Sequence, residues 1–261
     1  ARAMLVGVLV SLCSALLGTS LVLKRYSMIG DGLSHVGFGA LAAASALGLA
    51  PLAVAVPVVV VAAVILLRIS QTRSAIKGDA AVALISSGAL AIGVLVISLT
   101  SGSNTNISNY MFGSILTVSR ADAVLSVVLC VAVIVCFTLL YPRIFAVTFD
   151  ETFAQATGAK AGAYNMLLAV LTAVTVVLGM RMMGALLISS LIIFPPLAAM
   201  RVFRSFRSVT VCSAVFSVVC FVLGMTASYA LETPSGASVV CVNIIGFALF
   251  ALIGRLKCIA K

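Results

Sequence analysis

The sequence predicts an all-α fold, a polytopic bundle of transmembrane helices, and three observations predict it. Of the 261 residues 63% are hydrophobic and only 8% are charged. Soluble domains are about half apolar and about a quarter charged, so so few charges cannot cover a water-facing surface. The apolar residues fall into runs of spanning length. The basic residues stand between those runs.

A spanning helix needs roughly 20 apolar residues. Nine runs qualify in order: 3–23, 28–49, 52–67, 79–99, 122–141, 164–180, 183–200, 208–231 and 237–254. The first is read as a true span and not a cleaved leader, because no small-residue cleavage motif follows it. The third is short. The sixth and seventh are divided only at Arg181-Met182, so eight spans with one re-entrant run is the alternative. Residues 107–119 are too short and polar to span and read as an interfacial or re-entrant segment. Gly, Ser and Ala within the runs favour close helix–helix contact. The whole chain, 1–261, reads as one transmembrane domain with no soluble domain attached.

Net charge is +10, yet the basic residues form no continuous patch, so a nucleic-acid partner is not expected. They set topology instead. With the loop at Lys24-Arg25 inside, thirteen of the sixteen basic residues fall on the inner side, and only Arg2, Arg120 and Arg181 fall outside. This places the N-terminus outside and the C-terminus in the cytoplasm. The run Arg201 to Arg207 reads as an inner-leaflet anchor. Six of the seven cysteines lie in apolar runs and none forms Cys-x-x-Cys, so they are expected to be small buried residues. A phosphate-binding Gly-x-x-x-x-Gly-Lys-Ser/Thr sequence is absent, so any ATP hydrolysis belongs to another chain and this one is not expected to be an enzyme.

Six acidic residues are present and one histidine. Asp31 and His35 stand four apart in the second run, which puts both on one helix face, a turn apart. A carboxylate and an imidazole suit zinc and manganese, and ionisable groups inside a span suggest function. Gly30, Gly32, Ser34, Gly37, Gly39 and Ala40 leave the helix nearly bare around them. Two ligands are too few for a tight site, but two symmetric copies would bring two Asp and two His together. The structural alternative is that Asp31 caps the helix or pairs with Lys24 or Arg25 while His35 bonds a carbonyl.

The segment 148–160 forms a short inner helix. Thr148 with Glu151 has the spacing of a capping box, Asp150 and Glu151 suit the helix N-terminus, and Gly158 suits its stop. Phe149 and Phe153 share a face and suggest docking to a partner, or else fold back on the bundle. Pro195-Pro196 removes backbone donors and frees the carbonyls near Leu191 and Ile192, predicting a kink.

Gly30-Asp31-Gly32-Leu33-Ser34-His35-Val36 resembles the Gly-Asp-x-Leu-Ser-His signature of the permease subunits of zinc and manganese ABC importers. Residues 149–158 resemble that family's cytoplasmic coupling segment, Met183 to Pro196 its late membrane motif, and Thr233-Pro234-Ser235-Gly236-Ala237 its last outer turn. The four occur in the family's order and span nearly the whole chain. The resemblance implies a bacterial inner-membrane permease working as a dimer, with either an identical or a related protomer. A cytoplasmic ATPase subunit would sit on Phe149, Asp150, Glu151, Phe153 and Gly158. An extracytoplasmic metal-binding protein would deliver the ion, and Asp31 and His35 would meet it in the membrane. Zinc is favoured over manganese or iron, because two Asp and two His suit tetrahedral coordination. No permanently bound cofactor is expected. A secondary transporter or channel for a cation, independent of ATP, is the alternative.

Overall fold

The computed structural model describes residues 2–71, 78–101 and 120–259. Among them all regular structure is helical. The helices are α1 (Arg2–Leu23), α2 (Ser27–Ala46), α3 (Pro51–Gln71), α4 (Gly78–Ser101), α5 (Arg120–Leu139), α6 (Tyr141–Phe149), α7 (Glu151–Ala156), α8 (Ala161–Met183), α9 (Ala185–Val202), α10 (Phe206–Leu231) and α11 (Ser235–Ile259). The segment 107–119, expected to be interfacial or re-entrant, lies outside the described residues.

Each of the nine apolar runs corresponds to a helix, with three differences. Seven helices (α1, α3, α4 and α8 to α11) are long and apolar enough to cross a membrane. The third run is not short: α3 continues past Arg68 to Gln71, because a cation in the last turn suits the negative end of the helix dipole. The fifth run does not end at Tyr141. It bends by 72° and continues as α6, so α5 and α6 together are a broken span or a re-entrant loop, which makes eight spans at most among the described residues. Pro142 causes the break, since it has no N–H to give to the Thr138 carbonyl and its ring crowds the preceding turn. The third difference is α2, long enough to span but the most polar of the set, because it carries Asp31, His35 and four glycines.

That polarity fits its position. α2 packs against α3, α4, α8 and α9, and α1 packs against α5, α8, α9 and α10. α1, α2, α8 and α9 thus form the centre. α4, α5, α10 and α11 turn large apolar side chains outward, among them Leu84, Leu99, Leu139, Leu223 and Leu249. Exposed apolar surface on this scale is unstable in water and suits lipid.

Contacts between the central helices are made by small residues. Ser217 Oγ donates to the Ser11 carbonyl at 2.9 Å, joining α10 to α1. Thr19 and Thr172 return their hydroxyl protons to carbonyls one turn back, at 2.8 and 2.7 Å, so their oxygens are buried without cost in unpaired donors. Between α8 and α9 the chain turns at Gly184, whose φ of 90° and ψ of 156° belong to a region open essentially only to glycine. Cys13, Cys130 and Cys220 are buried as expected, but Cys136 and Cys212 are half-buried and Cys241 is exposed on the outward side of α11. At the last turn Glu232 takes a left-handed φ of 52°, and Ser228 Oγ donates to the Thr233 carbonyl at 2.6 Å.

Candidate metal site and coupling helix

α2 is wrapped on three sides, and glycine or serine makes the closest approach on each. Gly32 and Gly39 face α4, where β-carbons would come within 2.6 Å of the Val82 side chain and 2.5 Å of the Ala89 carbonyl oxygen. Gly30 rests on the Ile192 side chain of α9, and Ser34 Oγ lies 3.0 Å from Ser189 Oγ of the same helix. Gly37 meets Met180 of α8 and Val59 of α3. At about 100° per residue, Asp31 and His35 fall in a sector between the α9 and α4 sides that the described helices leave partly open at the start of α2, where their side chains remain 44% and 30% exposed. Farther along the helix, Phe38 and Ala42 share that direction and are buried.

Within the pair, His35 Nε2 is 3.8 Å from Asp31 Oδ2. This is too long for a hydrogen bond, but it is a separation that one cation between the two groups would bridge. Asp31 does not cap α2, whose N-cap is Tyr26. Nor does Lys24 pair with it, because Lys24 is turned to Glu151. Among the described residues no third His, Cys, Asp or Glu joins the pair. The described residues therefore offer a cation two such side-chain ligands at this place. Ser34, one residue from His35 and three from Asp31, donates to the Asp31 carbonyl at 2.7 Å. It fixes the backbone of the turn that holds both groups. Sequence reasoning gave Ser34 no role beyond its small size and gave Ser189 none.

The coupling segment is helical, but its cap differs from the expected one. Thr148 lies in the last turn of α6, its hydroxyl buried without a hydrogen-bond partner, so it caps nothing. Asp150 caps α7: its Oδ1 accepts from Phe153 N at 2.9 Å and from Thr152 Oγ1 at 2.6 Å. The Phe153 amide, and after it the Thr152 hydroxyl, hold the Asp150 carboxyl below the usual carboxylate range. Gly158 follows the helix with φ of 85°, as its stop position requires. Phe149 and Phe153 have different surroundings. Phe149 joins a cluster with Phe145 at 5.0 Å and Phe206 at 5.9 Å, although it stays 57% exposed. Phe153 is 63% exposed on α7, next to Ala154, which anchors α7 against Val147 and Ala161.

Glu151 is not simply a dipole-compensating residue at a helix start. Its Oε2 lies 3.6 Å from Lys24 Nζ, and its Oε1 accepts from Asn165 Nδ2 at 3.0 Å. Lys24 also donates to Asn165 Oδ1, which closes a ring of three side chains. Burial pushes the Lys24 ammonium below its usual range, and the adjoining Glu151 carboxylate opposes that shift. Asn165 was missed in the sequence. Its signal was an amide in the first turn of an otherwise apolar run.

The family model described as ABC 3 transport family matches residues 1–254. The chain belongs to the ABC 3 transport family. The probable metal transport system membrane protein of Thermotoga maritima is 30% identical over 242 residues, 92% of this chain and 85% of that one. The manganese import system permease protein ScaB of Streptococcus gordonii is 26% identical over 246 residues, 94% of this chain and 88% of that protein. The high-affinity zinc uptake system membrane protein ZnuB of Haemophilus influenzae is 28% identical over 248 residues, 95% and 94% of the two chains. Among solved structures, PsaBC from Streptococcus pneumoniae in complex with Fab superimposes with a TM-score of 0.85 at 26% identity, covering 98% of this chain and 94% of that one. The all-helical bundle expected from the sequence is thus the fold of an ABC 3 family membrane protein, with seven helices among the described residues that qualify as spans, or eight with the bent pair, where nine were expected.

Proposed function

We propose that this ABC 3 family member is the permease subunit of an importer for a divalent transition metal, and that Asp31 and His35 bind the ion transiently as it crosses. The observation that carries the reading is the position of the pair: a carboxylate and the chain's one imidazole, 3.8 Å apart, on a side of the start of α2 that the described helices leave partly open. A second protomer facing that sector supplies a matching pair, which makes four ligands, the usual zinc count. Zinc is therefore the favoured cargo, with manganese or iron served by the same donors; relatives named for manganese and for zinc support this range. A separate cytoplasmic ATPase subunit seats on α7 and drives alternating access, and an extracytoplasmic metal-binding protein loads the ion. The chain spans the cell membrane of a bacterium, with its C-terminus in the cytoplasm. The distribution of Lys and Arg supports that orientation.

The experiment is uptake of radiolabelled zinc and manganese by cells carrying the complex, with and without ATP depletion. Asp31→Ala and His35→Ala abolish uptake while the complex still purifies intact. Wild-type uptake in both variants removes the site assignment. Uptake that follows membrane potential and ignores ATP depletion removes the ATP-driven reading.

A further inference from the structure

We propose that Lys24, Asn165 and Glu151 form the link through which a displacement of α7 reaches α2, with Lys24 and Asn165 as positioning residues for transport. The proposal rests on the reading that α7 is the seat of the ATPase subunit.

The ring joins three elements. Glu151 is the first residue of α7, Asn165 lies in the second turn of α8, and Lys24 follows the last residue of α1. All five atoms of a closed circuit are engaged: Lys24 Nζ with Glu151 Oε2 and Asn165 Oδ1, and Asn165 Nδ2 with Glu151 Oε1. Lys24 and Asn165 are withdrawn from water, with side-chain exposure of 8% for Lys24 and residue exposure of 3% for Asn165. Glu151 is 34% exposed, so solvent screens its side of the pair, but the Lys24 and Asn165 ends are buried and would be costly to leave unpaired. Rigid coupling needs this property, which a solvent-exposed ion pair lacks.

α7 has only six residues and is too short to hold its position alone. Its buried residue, Ala154, attaches it to Val147 of α6 and Ala161 of α8. Neither contact reaches α2. The Glu151 ring does, because Lys24 is one of three residues in a tight reversal between α1 and α2. In that turn Lys24 N donates to the Ser20 carbonyl, Arg25 N to Val22 and Tyr26 N to Leu21, at 3.1, 3.0 and 2.8 Å. Arg25 takes a left-handed φ of 61°, uncommon for a residue with a side chain. A turn so fully bonded has little slack, so a pull on Lys24 moves the start of α2. Asp31 is seven residues on, about two helical turns. Beside the ring is a small cavity of about 20 Å³, lined by apolar Leu21, Ile29 and Leu168 as well as by Lys24 and Asn165, so the ring is shielded from water on that side.

The test is made on the permease and its ATPase subunit reconstituted together in proteoliposomes, reading metal ions transported per ATP hydrolysed. With Lys24→Met the complex stays assembled and hydrolyses ATP, but ions per ATP fall about two- to thirty-fold, the range expected for a lost coupling contact. Asn165→Ala gives a drop of the same kind and carries the test if Lys24→Met does not fold. The exchange Lys24→Glu with Glu151→Lys recovers much of the ratio that either single reversal loses, which a residue needed only for folding would not do. Wild-type ions per ATP in Lys24→Met or Asn165→Ala overturns the link, as does an exchange variant no better than its parents. Failure of the underlying docking reading looks different: α7 variants that leave the ATPase subunit bound and the ratio intact.

Discussion

The carbonyl oxygen of Ile192 lies where any side chain on Gly18 would have to go: a β-carbon built on Gly18 would stand 2.2 Å from it. Pro196 follows four residues after Ile192 and has no N–H, so this carbonyl lacks its usual intrahelical donor. The same proline that frees the acceptor therefore sits where α1 comes close enough for a Cα–H contact. The double proline in α9 and the glycine in α1 are one packing feature.

Gly18→Ala should therefore lower stability by about 1–3 kcal/mol, since the obstruction is backbone and cannot rotate away. Gly88→Ala is the control. Gly88 is also helical, but a β-carbon there meets nothing within 4 Å. Thermal midpoints of the detergent-solubilised protein should fall for Gly18→Ala and hold or rise slightly for Gly88→Ala. Equal midpoints for the two variants would contradict the close approach.

A second prediction concerns the serine pair that ties α2 to α9. Ser34 gives its proton to the Asp31 carbonyl, and the single proton of Ser189 is shared between Ser34 Oγ at 3.0 Å and its own helix's Ala185 carbonyl at 3.1 Å. Interhelical hydrogen bonds in membrane bundles contribute about 0.6 kcal/mol on average. A cycle of Ser34→Ala, Ser189→Ala and the double variant should give a coupling energy of about that size in unfolding measurements. Additive losses would mean that the two hydroxyls do not bond. The Asp31–His35 turn should also lose activity in Ser34→Ala without a change in ATP hydrolysis.

The sequence revealed the bundle because lipid demands long apolar runs, and that demand does not depend on packing detail. It also revealed the Asp31–His35 pair, because four-residue spacing fixes a shared helix face. Three features needed coordinates. The capping box at Thr148–Glu151 has the right spacing, but Pro142 restarts the helix early and carries Thr148 into the end of α6, which leaves the cap to Asp150. Lys24 read as a topological marker, because nothing local indicates that it meets a residue 127 positions later through Asn165. The open sector around Asp31 depends on which neighbours Gly30, Gly32, Gly37 and Gly39 admit, and glycine spacing alone does not name them.

The last prediction separates the two phenylalanines of the coupling segment. Phe149 packs with Phe145 and Phe206, so Phe149→Asp should weaken the fold of the permease itself. Phe153 is the more exposed, and its neighbour Ala154 already anchors α7. Its ring is therefore free to enter a pocket on a partner, and buried aromatic anchors of this kind contribute about 2 kcal/mol or more to an interface. Phe153→Asp should leave the thermal midpoint of the isolated permease unchanged while weakening its association with the ATPase subunit about thirty-fold or more. The check is co-purification from membranes together with titration of the ATPase subunit onto the reconstituted permease. Unaltered binding would mean that the exposed ring serves some purpose other than docking, and would count against α7 as the seat of the ATPase subunit.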